Sequence, residues 1–248
     1  MLFRSDIGRE IREGWTEQRT AALMDTYLRD HGVRTFFHTS FAWFGAQTRF
    51  DSVPKGVWGY WGFLSSKRPF EAGQVVLLDT APILDGYMAD AAFSFSLVAN
   101  PELQKLRALL LKFREEIPRL FARADKKTGD IWHEIDDRLQ SEGYDNCHQR
   151  YPFQAMAHRV HHSRYRRLPG IIGPFSLYSF WSLISRGFFP EVLGPWHSGN
   201  KIGPWAIEPH LGAAGFGAKF EELLIVGENH AHWLSDDVPY LSLPSGFY

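Results

Sequence analysis

The sequence predicts an α+β fold made of two similar αββ halves packed about a pseudo-twofold, with a site between them. Three observations predict it. Residues Gln74 to Phe95, QVVLLDTAPILDGYMADAAFSF, are two apolar β-rich runs around Asp85-Gly86, the signature of a hairpin. Two Thr-opened helical patterns, Thr16 to Gly32 and Thr128 to Gly143, each end at a glycine and feed a β-rich segment, which reads as an internal repeat. A last strong strand, Phe220 to Val226 (FEELLIV), closes the second half.

The elements follow in chain order. Residues Ile7 to Asp30 read as helical, with Thr16-Glu17 opening the main helix and Leu23, Met24, Tyr27 and Leu28 recurring three and four apart. His31-Gly32 ends it. Val33 to Gln47 is β-rich and aromatic, and Asp51 to Lys67 has the Gly, Pro, Trp and Tyr order of a loop. After the hairpin, Pro101 to Ala124 is a long amphipathic helix whose stripe is Leu103, Leu106, Leu109, Leu110, Phe113 and Ile117. A second helix runs from Thr128 to Ser141. Residues 163–204 begin basic and continue rich in Gly, Pro and aromatics, the composition of a loop or lid inserted into one domain that spans 1–248. Trp205 to Pro209 reads as a strand that presents Glu208 just before a proline, and the tail after Asn229 is extended.

Composition excludes several function classes. A formal net charge of −1 leaves no basic footprint for nucleic acid and no polybasic membrane signal. No apolar run reaches the length of a membrane span. The N-terminal stretch carries acids and no apolar core, unlike a signal peptide. The one cysteine, Cys147, allows no internal disulfide and fits a reducing compartment, so a cytoplasmic location is expected, with Cys147 a buried, idle thiol. Aromatic content is high at 15%, with nine Trp, and much of it lies in 36–70 and 175–205. Most of these rings are expected to pack in the core, with an apolar pocket wall as the alternative, and exposed ones suggest a homodimer.

The chemistry lies with the acids. Asp79 and Asp90 flank the hairpin turn and are expected roughly opposite one another. Two carboxylates so close on an apolar hairpin repel and are costly to desolvate unless a cation or proton lies between them. With them stand His158, Glu208 and Glu221, each in or beside a β-type segment, in the order Asp, Asp, His, Glu, Glu.

At these residues the sequence resembles the pita-bread metallopeptidase family, which includes methionine aminopeptidases, aminopeptidase P, prolidase and the creatinase-like enzymes. LLDTAPILDGYMAD matches the family's hairpin, Ile207-Glu208-Pro209 its later Ile-Glu-Pro, and Glu221 to Val226 its final acid-bearing strand. The resemblance implies the pita-bread fold, a curved antiparallel sheet between pseudo-symmetric halves, and a dinuclear centre. In it Asp79 is bidentate on one divalent ion, Asp90 and Glu221 bridge, and His158 and Glu208 complete the other. Four carboxylates and an imidazole suit Mn, Fe, Co or Zn, and two such ions lower the pKa of a bridging water.

The shell around the cage departs from the family. His158 sits in Ala157-His158-Arg159 instead of Gly-His-Gly, Tyr165 and Trp61 stand where relatives carry histidines, and Ala92-Phe93-Ser94 replaces Thr-Arg-Thr. His38, His161 and His162 are the candidates to move protons; His161 or His162 is also the alternative to His158 as ligand. His210 is a further candidate for facing the site, His197 has no assigned role, and Arg164, Arg166 and Arg167 are candidates to bind a substrate carboxylate. The expected function is hydrolysis, by metal-bound hydroxide, of an amide or related C–N bond in a small molecule or short peptide. The alternatives are a lyase or iron-dependent oxidation on the same cage, and a non-catalytic peptide-binding cleft.

Overall fold

The computed structural model describes residues 2–54, 59–162, 171–172, 175–176, 181, 185–187 and 189–236. Helices α1 (Leu2–Glu10) and α2 (Glu17–Asp30) open the chain. The expected single helical stretch is broken between them because residues 14–17 give their backbone groups to a neighbouring segment: Gly14 N donates to Phe70 O, Phe70 N to Trp15 O and Glu17 N to Arg68 O. Thr16 then caps α2 by accepting from Arg19 N, and Gly32, at φ +93°, turns the chain away from its end.

Strand β1 (Thr35–Phe44) is followed by a short helix α3 (Gly59–Gly62) inside the expected loop, then by the hairpin of β2 (Val75–Leu84) and β3 (Tyr87–Met88). Asp85 and Gly86, at φ 48° and 84°, make the turn that the Asp-Gly pair predicts. Strand β4 (Ala91–Ser96) continues the returning arm, and α4 (Pro101–Ala122) and α5 (Thr128–Ser141) follow within two residues of their expected limits. The second half adds β5 (Asp145–Asn146), β6 (Ala157–Arg159), β7 (Ile171–Ile172), β8 (Phe175–Ser176), β9 (Val192–Leu193), β10 (Gly203–Ile207), β11 (His210–Ala213), β12 (Phe216–Val226) and β13 (Ala231–Trp233).

Among the described residues these strands form one sheet whose main order is β7-β8-β1-β2-β4-β12-β10-β6-β9, and each of its pairings is antiparallel. The described parts of 163–204 therefore join the sheet at both ends, where the sequence reads only loop. Strand β12 is longer than predicted and turns back on β11 through Gly215, at φ +89°. Alternation puts one face of β2, β4 and β12 against the helices: Val76, Leu78, Phe93, Phe95, Phe220 and Leu224 pack there with Met24 of α2, Phe113 of α4 and Ile135 of α5. The stripe predicted for α4 is buried. The opposite face carries two smaller aromatic and aliphatic clusters with the acids between them. No helix of the described residues is long and apolar enough to cross a membrane.

Candidate metal centre

Two β-bulges decide what β1 shows to this inner face. Phe36 pairs with Pro82, His38 with Ala81 and Phe41 with Asp79, so one extra residue is inserted on each side of His38. On a regular strand His38 and Phe41, three positions apart, would face opposite sides. Here both line one cavity.

The register places the acids. Asp79 lies opposite Ala92, and Thr80 opposite Ala91, so Asp90 is a diagonal neighbour of Asp79 across the two strands. Ala92 also pairs with Glu221, giving a row Asp79, Ala92, Glu221 across β2, β4 and β12 in which the alanine methyl leaves the middle open. Ile207 opposite Glu222 and His210 opposite Lys219 bring Glu208 opposite Glu221. Pro209 has no N–H to continue that ladder, and Glu208 N donates instead to Met156 O at 2.9 Å. His158 comes from β6, paired with Ala206 of β10.

The five expected ligand residues thus meet at one buried place, with Asp79, Asp90 and Glu221 each no more than 5% exposed. His38 Nε2 lies 3.5 Å from Asp79 Oδ1 and 3.6 Å from Asp90 Oδ1; His158 Nε2 lies 3.2 Å from Asp90 Oδ2 and 3.9 Å from Glu221 Oε1. Each ring donates from Nδ1 to a backbone carbonyl, His38 to Thr39 O at 2.8 Å and His158 to Arg159 O at 3.3 Å. A carbonyl only accepts, so Nδ1 carries the proton and Nε2 is the atom turned to the acids, the arrangement a metal-binding imidazole needs.

One residue the sequence reading passed over sits in the middle. Lys219, 3% exposed, places Nζ 2.7 Å from Asp79 Oδ2, 2.8 Å from Glu208 Oε2 and 3.0 Å from Glu221 Oε2. Burial alone would lower its pKa, but the charges of Asp79, Glu208 and Glu221 outweigh that and hold it well above the ordinary lysine value. Glu221 is pushed well up by burial and then by the neighbouring charges of Asp90 and Glu208, and burial likewise raises Glu208. Burial would also raise Asp90, yet its hydrogen bond to His158 and the nearby ring of His38 hold it below the usual carboxylate range, and the reciprocal effect on His38 overcomes burial to raise it to about 9.

Donor chemistry and burial fit a cation. Among the described residues, Asp79 Oδ1 and Asp90 Oδ1 are buried with no hydrogen-bond partner, the histidine contact to each being too long for a good bond. Two groups of ligand atoms, His38-Asp79-Asp90 and Asp90-His158-Glu221, each lie within 4.8 Å of one another and share Asp90. Glu208 is in neither group.

A cavity of about 140 Å³ opens over these residues, walled by Phe37, Phe41, Trp43, Phe50, Phe63 and Tyr151. The aromatic segment 36–70 therefore supplies much of the apolar wall, although Trp61 is 53% exposed. Tyr151, also unforeseen, holds its hydroxyl 3.0 Å from His210 Nδ1, so buried His210 stands behind the wall. His161 pairs with Glu191 and exposed His162 packs edge-on against Tyr87; neither lines the cavity. His197 accepts a structural task at the start of α5, where its carbonyl receives Gly129 N at 2.8 Å. Arg164, Tyr165, Arg166 and Arg167 lie outside the described residues. Cys147 is buried, and burial pushes its thiol up to about 12, in keeping with an idle role.

With this geometry in place, likeness to known proteins can be weighed. The model of the family described as Metallopeptidase family M24 matches residues 3–196. Solved structures that this chain resembles include the X-Pro aminopeptidase of Thermotoga maritima MSB8, at 15% identity and a TM-score of 0.68, with 96% of this chain and 58% of that chain covered. The prolidase of Pyrococcus furiosus is similar at 15% identity and a TM-score of 0.65, over 96% of this chain and 61% of that one. The Xaa-Pro dipeptidase of Bacillus anthracis is similar at 14% identity and a TM-score of 0.63, over 96% and 57%. The chain thus spans about three-fifths of the length of these solved relatives, and at such identity the likeness is one of fold. No curated protein matches the chain in sequence.

Proposed function

The chain belongs to metallopeptidase family M24 and has its α+β pita-bread fold, and from that premise we propose a metal-dependent hydrolase of an amide or related C–N bond in a small, partly apolar molecule or short peptide. The observation that carries the reading is the buried meeting of His38, Asp79, Asp90, His158 and Glu221 at the floor of an aromatic cavity. Two divalent ions, of Mn, Fe, Co or Zn, are the complement the sequence resemblance implies. Such an ion supplies a Lewis acid for the substrate carbonyl and makes a bound water acidic.

The chain's own residues supply the rest. Phe41, Trp43, Phe50, Phe63 and Tyr151 offer an apolar surface to the substrate and keep bulk water from the acids, which strengthens each charge interaction there. Lys219 gives the buried oxygens of Asp79, Glu208 and Glu221 one shared ammonium partner, which fixes their positions on the cavity floor. Among the three histidines considered for proton movement, His38 is the one in contact with the acids. Trp61, exposed and outside the cavity, provides no substitute for a substrate-handling histidine, so the substrate is expected to differ from the Xaa-Pro peptides named for the relatives.

The test is turnover of a panel of dipeptides and amides bearing aromatic or branched side chains, with Mn²⁺ or Co²⁺ added. Activity should disappear with chelator and fall about a hundredfold or more in Asp90→Ala; turnover that survives both would sink the reading. A second reading has its own support: two imidazoles and a carboxylate, His38, His158 and Asp90, are the donor types of non-haem iron oxygenases. Oxygen uptake dependent on Fe²⁺, with no hydrolysis, would select it.

A further inference from the structure

In the dinuclear centre that the resemblance implies, Asp79, Glu221 and Glu208 would all be needed to hold the two ions. Lys219 stands across all three. Its Nζ is 2.7 Å from Asp79 Oδ2, 2.8 Å from Glu208 Oε2 and 3.0 Å from Glu221 Oε2. Nζ donates to Glu208 Oε2 and Glu221 Oε2 and is ion-paired with Asp79 Oδ2, so all three oxygens are gathered round it. An ion gathering the same oxygens at about 2.0–2.2 Å would need the position that Nζ fills. What remains lies on the histidine side: Asp79 Oδ1, both Asp90 oxygens, Glu221 Oε1 and the Nε2 atoms of His38 and His158. Two of those oxygens, Asp79 Oδ1 and Asp90 Oδ1, are the buried acceptors with no hydrogen-bond partner among the described residues. The unmet demand for positive charge is therefore on the side away from the lysine.

We infer that Lys219 takes the place of one of the two cations, so that the centre binds a single divalent ion, with His38 among its ligands and Glu208 serving as counter-ion to the lysine. This rests on the metal-dependent reading of the site. Only the number of ions and the ligand set are new. The role of Lys219 follows from its strand: β12 alternates, so residue 219 shares its face with Glu221 and reaches the same floor.

Calorimetric titration of the chelator-stripped full chain with Mn²⁺, and separately with Co²⁺, tests it. The wild type should bind one equivalent. Lys219→Met releases the three oxygens and should bind two. Glu208→Gln should keep the wild-type count with affinity changed about threefold at most, whereas His38→Gln should weaken binding about tenfold or more. Two equivalents in the wild type overturn the inference, as does a Glu208→Gln loss equal to that of His38→Gln. Should Lys219→Met fail to fold, the wild-type count and the Glu208 and His38 pair decide alone. No binding of either ion by the wild type would sink the metal-dependent reading itself, a result distinct from two equivalents.

Discussion

His148 shows how a single residue couples this fold to pH. Its side chain is fully buried, neither ring nitrogen has a hydrogen-bond partner among the described residues, and its ring packs edge-on to Trp132 at 5.5 Å. Burial lowers its pKa from 6.5 to about 3. The unfolded chain therefore takes up this proton near pH 6.5 and the folded chain only near pH 3, so the contribution is whole above pH 6.5 and is lost as pH falls towards 3. One proton gives a slope of at most about 1.4 kcal/mol per pH unit. Urea unfolding of His148→Phe against wild type between pH 7 and 4 should show a shallower acid-side loss in the variant, and parallel curves would refute the assignment. At this scale Asp79, Asp90, Glu208 and Glu221 were legible because each lies in or beside a recognisable strand, whereas His158, on the short β6, stands out only through the family resemblance. Lys219 was not legible, because the recognisable apolar run starts at Phe220 and the small residues Gly217 and Ala218 before it hide the strand that carries the lysine. His38 could only be weighed, since nothing in VRTFFHTSFAWF marks the two bulges that turn it inward.

At the scale of elements, the junction of α2 with β1 is held by one buried carboxylate. Glu17, 1% exposed, accepts Phe44 N at 2.9 Å through Oε1 and both Ser66 N at 2.9 Å and Ser66 Oγ at 2.6 Å through Oε2. It joins the first turn of α2 to the end of β1 and to the segment that leads into β2. Removing it leaves Phe44 N unpaired in a buried place and Ser66 N in a partly buried one, each worth about 1–3 kcal/mol. Glu17→Ala should therefore lose about 2–5 kcal/mol in chemical denaturation, while a loss below about 0.5 kcal/mol, the level of a surface substitution, would contradict this role. The helix itself was legible from Thr16 and the apolar spacing, and α5 was found with its limits correct. The short strands β5 to β9 were not, because two or three residues carry no periodicity and pair only through partners distant in sequence. The β11–β12 hairpin was missed for a related reason: His210 to Gly217 is small and glycine-rich, a composition that reads as a loop until its ladder is seen.

For the whole molecule, the ligands of the proposed ion come from β1, β2, the approach to β4, β6 and β12, so one ion would tie the N-terminal half of the sheet to the C-terminal half. The fold class was readable because the hairpin, the repeated helix and the final strand lie in the same order as the three motifs, and those motifs were read together. The number of ions was not readable, since it depends on where one long side chain ends in space. The most direct measurement is an anomalous difference map from crystals of the full chain grown with Mn²⁺. One peak, bounded by His38, Asp90 and His158 with Lys219 still on Glu208, is the predicted result. Two peaks with Glu208 as a ligand, or no peak among these residues, would contradict it.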